Sequence, residues 1–66
     1  MKYEGLLTDS QKRDGYFVTC DEDFVFVYYK RNGNPSPIAI LLYETVKLKE
    51  IRDIVEEHRE LRKGDG

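Results

Sequence analysis

The sequence predicts an α+β fold, an antiparallel three- to four-stranded β-meander followed by one C-terminal amphipathic helix packed on one face. Two observations carry that expectation. Between Gly15 and Glu44 aromatic and β-branched residues come in short runs separated by Asp, Asn, Gly and Pro, and from about Thr45 the apolar spacing changes from two to three or four. The chain has 66 residues, which implies one small domain over 1–66, near the lower limit of what a single apolar core holds together unaided.

The elements follow in order. Lys2 to Thr8 is a candidate first strand near 2–8, weakened by Gly5, and Asp9 to Asp14 is its polar connection. Residues 15–20, Gly-Tyr-Phe-Val-Thr-Cys, lie between Asp14-Gly15 and the acidic turn Asp21-Glu22-Asp23 and read as a strand. Residues 24–31 begin with Phe24-Val25-Phe26-Val27-Tyr28-Tyr29, the strongest strand signal in the chain. Asn32-Gly33-Asn34-Pro35-Ser36-Pro37 then predicts a loop of six residues, because two prolines cannot donate to a ladder and Asn-Gly favours positive φ. The next strand is expected near 38–44. Leu48, Ile51, Ile54, Val55, His58 and Leu61 recur at helical offsets and predict a helix near 46–63, with Arg59, Arg62 and Lys63 suited to the negative end of its dipole. Residues 64–66 form a short tail.

The two most hydrophobic strands carry apolar residues on both faces. Phe24, Phe26 and Tyr28 share one side, Val25, Val27 and Tyr29 the other; Ile38, Ile40 and Leu42 oppose Ala39, Leu41 and Tyr43 in the same way. A single helix covers one face of a small sheet, so the second needs another cover. A second copy of the chain is the leading cover, in a two-fold homodimer, with Val25, Val27, Tyr29, Leu41 and Tyr43 as the self-association residues; the alternatives are the N-terminal segment, which offers Tyr3, Leu6 and Leu7, and a face left open to a ligand with Tyr16, Phe17, Tyr28, Tyr29 and Tyr43 as a stacking surface. About 500 Å² of apolar area leaving water per subunit would contribute on the order of 12 kcal/mol at roughly 25 cal/mol/Å², before association costs.

No catalytic, cofactor or metal constellation is expected. His58 has no second histidine or nearby cysteine with which to build a zinc site or a triad. Cys20 adjoins three carboxylates, which disfavour a thiolate, and Asp21 to Asp23 lacks the twelve-residue spread of a calcium loop. The lone cysteine excludes an internal disulfide and favours a cytoplasmic setting, and no apolar run exceeds the six residues of Ile38 to Tyr43, far short of the roughly 20 residues that span a bilayer. No apolar stretch of signal-peptide length follows Met1.

The function expected is a small non-catalytic interaction module that self-associates through an apolar sheet face. A second expectation is single-stranded nucleic-acid binding through Lys12, Arg13, Tyr16, Tyr28, Tyr29, Lys30 and Arg31, basic pairs flanking strand tyrosines, against a formal net charge of −2. A third is a regulator or inhibitor of one protein partner, using the Asn32–Pro37 loop or the charged helix face.

Overall fold

A computed structural model describes residues 6–64. The order of elements is α1 (Asp9–Arg13), β1 (Tyr16–Cys20), β2 (Phe24–Arg31), β3 (Asn34–Leu42) and α2 (Leu48–Gly64). The strands form one open antiparallel sheet in the order β1-β2-β3, and α2 lies across one face. The expected strand near 2–8 lies mainly outside the described residues; Leu6, Leu7 and Thr8, its described part, are not in a strand.

The polar connection after Thr8 is a short helix instead. Thr8 and Gln11 form a reciprocal capping box, with the Gln11 N–H donating to Thr8 Oγ1 at 3.1 Å and the Thr8 N–H donating to Gln11 Oε1 at 3.0 Å. Gln11 is itself buried, and its Nε2 donates to Glu56 Oε2 at 2.7 Å, so one side chain both starts α1 and ties it to α2. Arg52 adds a second tie, Nε donating to the Leu6 carbonyl at 2.7 Å. The Gln11 hydrogen bond holds the Glu56 carboxyl below its ordinary range, with Arg59 acting in the same direction. Gln11→Ala removes a cap partner and the tie between α1 and Glu56, which keeps its hydrogen bond from Arg59; a loss of about 1 kcal/mol is expected in urea unfolding.

Gly15 makes the next connection. Its φ of +110° is costly for a side-chain-bearing residue, and an added Cβ would sit 2.9 Å from the Lys30 carbonyl oxygen. That close approach lets the Lys30 N–H donate to the Gly15 carbonyl at 2.8 Å, just beyond the Tyr16–Tyr29 pair.

The expected six-residue loop is a two-residue turn. Asn32 and Gly33 both have positive φ, 52° and 83°, and Arg31 pairs directly with Asn34, the geometry of a tight hairpin. The strand therefore starts at Asn34, four residues before the expected 38, and ends at Leu42. Pro35 and Pro37 fit because β3 is an edge strand with a ladder on one side only. The register slips by one residue opposite Val27 and Tyr28, a bulge that inserts Ile38.

Directly paired residues share a face, so the register sorts the sheet. Tyr16, Val18 and Cys20 join Val25, Val27 and Tyr29, and Ala39 and Leu41, on one side; Phe17 and Thr19 join Phe24, Phe26 and Tyr28, and Ile40 and Leu42, on the other. The first side is the core face. Val25, Val27, Ile51 and Val55 are completely buried there with Tyr16 and Leu7, while Ile54 and His58 are half-buried at its margin. Leu61, in the same helical stripe, extends past the sheet and is exposed.

Candidate interaction surface

The face turned away from α2 carries a contiguous apolar surface. Phe17 stacks on Tyr28 with ring centroids 5.0 Å apart and planes 5° from parallel, and Phe24 lies 6.2 Å from Phe26. Beside them Ile40 is 60% exposed, Leu42 57% and Phe24 40%. Three strands about 4.8 Å apart, each contributing some six residues at about 3.3 Å, make a platform of roughly 14 by 20 Å. Among the described residues no element lies over it: α2 packs on the other side, and α1 sits against β1. Scattered surface leucines need no explanation, but a contiguous aromatic and aliphatic face does.

This reverses the assignment of the two faces. Val25 and Val27 are completely buried beneath α2, so neither is available to a second copy. Tyr29 and Leu41 are half-buried against the same core, and Tyr43, past the end of β3, is exposed. Alternation left the choice of face open; in the fold Val25, Val27 and Ala39 lie under the helix and Phe24, Phe26 and Ile40 opposite.

The residues of the nucleic-acid expectation divide. Lys30 and Arg31 end β2, and the Gly15–Lys30 hydrogen bond brings Lys12 and Arg13 of α1 toward the same end of the sheet. Tyr16, however, is 2% exposed. Its hydroxyl lies 2.6 Å from His58 Nδ1 and accepts from Arg62 Nη1 at 3.4 Å, and its ring packs 4.8 Å from that of Tyr29. The Tyr16 hydroxyl and His58 Nδ1 share one proton-mediated contact, whose donor is set by the imidazole tautomer. The Arg62 guanidinium also lies over the Tyr29 ring at 4.4 Å and pairs with Asp14 at 3.1 Å, while Arg59 pairs with Asp14 at 3.1 Å. Tyr16 and Tyr29 are thus consumed by the joint between β1, β2 and the last turns of α2. Of the tyrosines proposed for stacking, only Tyr28 lies on the uncovered face.

Burial pushes the Tyr16 phenol above the ordinary tyrosine value, and the hydrogen bond from Arg62 partly opposes it. The folded protein therefore keeps this proton at a pH where the unfolded chain has begun to lose it. Its contribution to stability is complete below about pH 10 and disappears as pH rises through the raised folded value. In an alkaline absorbance titration, the ionisation of Tyr16 is expected to coincide with loss of helix, and Tyr16→Phe to remove that step.

At the opposite end the β1–β2 turn is acidic. Asp21 accepts from the N–H groups of Asp23 and Phe24, each at 2.8 Å, and the Phe24 bond is the principal cause holding its carboxyl below the ordinary range. Glu22, Asp23 and Glu44 border Phe24 and Leu42 around a shallow concavity. Cys20 is exposed beside this turn. Among the described residues there is no group of three or more His, Cys, Asp or Glu side chains placed to hold a metal ion, and no helix is long and apolar enough to cross a membrane.

Comparison with family models, with curated proteins and with solved structures returns no match for this chain. The functional reading therefore rests on the class of surface the fold presents: a three-stranded sheet with a helix on one face and an exposed apolar platform on the other.

Proposed function

We propose that the chain is a small interaction module without catalytic activity, which self-associates by burying its uncovered sheet face against a second copy. The supporting observation is the contiguous surface of Phe17, Phe24, Phe26, Tyr28, Ile40 and Leu42, which no described element of the chain covers. Closing the face against a copy removes roughly 1,000 Å² in total from water, at the lower end of specific interfaces, so micromolar affinity is the expected regime. Pairing through the β3 edge is disfavoured, since Pro35 and Pro37 lack the N–H groups an added strand would use. Sedimentation equilibrium from about 1 to about 200 μM, a range that brackets that regime, tests the reading. A rise in mean mass toward the dimer supports it, and a monomer throughout that binds no apolar dye removes it.

A second reading has one observation in its favour: the stacked Phe17–Tyr28 pair lies on the same face of the sheet as Lys30, combining an aromatic platform with a cation. Single-stranded nucleic acid on this platform would compete with self-association. Fluorescence anisotropy with a labelled oligonucleotide at about 50 mM salt decides it, because a phosphate-driven mode is strongest there and no signal would exclude it. A cytoplasmic location and the regulation of another protein are compatible with the module and require localisation and capture experiments in the native host.

A further inference from the structure

The charges bordering the apolar platform are unequally distributed along the strands. Side chains alternate along β2, so Lys30 shares the uncovered face with Phe24, Phe26 and Tyr28. It stands at the end where β1 begins and has no ion-pair partner among the described residues. At the other end of the strand, Glu22 and Asp23 adjoin Phe24 across the concavity shared with Leu42 and Glu44. The face is thus apolar in the middle, positive at one end and negative at the other, over a strand length of roughly 23 Å.

A two-fold axis that brings the same face of two sheets together must lie in the plane between them. Aligned sheet packing then leaves two arrangements. An axis along the strands sets like ends together, Lys30 over Lys30 and acidic turn over acidic turn. An axis across the strands sets each Lys30 against the acidic turn of the other copy, with the Phe26 and Ile40 level near the axis. Like charges at the rim of an apolar interface disfavour the first arrangement, and opposite charges favour and orient the second. Lysine suits that rim position because its stem packs on apolar surface while the ammonium stays in water.

We propose that two copies dock sheet to sheet with their β2 strands antiparallel, each Lys30 facing Glu22 and Asp23 of the other copy. This rests on the self-association reading and adds its orientation. The two-fold makes the contact occur twice, so a change at one position alters both ends of the interface.

Charge reversal tests the arrangement. Lys30→Glu alone, and Glu22→Lys with Asp23→Lys, should each weaken self-association about tenfold at about 50 mM salt, since two attractive contacts become repulsive. All three positions are exposed and Asp21, which anchors the turn, is untouched, so circular dichroism should match the parent chain. An equimolar mixture of the two variants should recover the parent affinity. In the mixed dimer the introduced glutamate of one copy meets the two introduced lysines of the other at one end, and the native contact survives at the opposite end. Parent-like affinity of each variant alone, with a mixed dimer tighter than the parent, would overturn the orientation in favour of like ends together. Unchanged affinity in all three samples would overturn it too, by showing that the charges do not orient the contact. Absence of a parent dimer would instead sink the self-association reading itself.

Discussion

Replacing Ile40 with glutamate is expected to abolish self-association while leaving the monomer folded. Ile40 is 60% exposed in the isolated chain, so a glutamate there meets water and the cost to the monomer fold is about a few tenths of a kcal/mol. In a dimer closed over this face, Ile40 pairs with Phe26 of the central strand, midway along the platform's length, where a carboxylate would be desolvated without a partner. Truncations at the centre of an interface cost about 2 kcal/mol or more, and an unpaired buried charge adds to that, so weakening of at least about 100-fold is expected. Sedimentation equilibrium reads the dissociation. Thermal melting supplies an independent check: the parent's Tm should rise with protein concentration, as it does whenever association stabilises the folded state, and that of Ile40→Glu should not. A variant that still associates like the parent would remove this face from the interface.

Ile51→Ala is expected to have the largest effect on the fold itself. Ile51 is completely buried and, with Val55, forms the apolar contact of α2 with Val25 and Val27. Truncating the side chain to its Cβ at such a site costs about 2–5 kcal/mol through lost transfer free energy and an incompletely closed cavity. Among the described residues the core has six buried apolar side chains, a small reserve, so even the lower figure is a large part of the total stability. A loss near 3 kcal/mol lowers Tm by roughly 12–24 °C in a domain of this size. Leu61→Ala, in the same helical stripe but 66% exposed, should shift Tm by no more than a degree or two. If the two variants melted together, α2 would not be packed as described.

The contrast between those two helix positions shows how far periodicity reaches. Spacing places Ile51, Val55 and Leu61 on one stripe of α2, but it carries no information on where the sheet beneath the stripe ends. The joint built from Asp14, Tyr16, His58 and Arg62 was equally invisible, because it joins residues more than 40 positions apart and each has an ordinary surface or core explanation on its own. Other misses had a local signal. Thr8-Asp9-Ser10-Gln11 is a capping-box spacing, and Asn32-Gly33 between two strands is a hairpin signature. The prolines outweighed the second signal because proline is costly in a central strand, and only the sheet order reveals that β3 lies at an edge.

Residue order by itself determined the class of fold, with alternation building a meander and three- to four-residue spacing building the helix that follows. It also determined that the sheet has two apolar faces, a property of composition along each strand that any register preserves. Which face the helix takes was decided only in three dimensions. The helix seats where its side chains find close partners: Ile51 and Val55 close over Val25 and Val27, Tyr16 and Gln11 secure the helix from the side, and Phe24, Phe26, Ile40 and Leu42 are left on the opposite face.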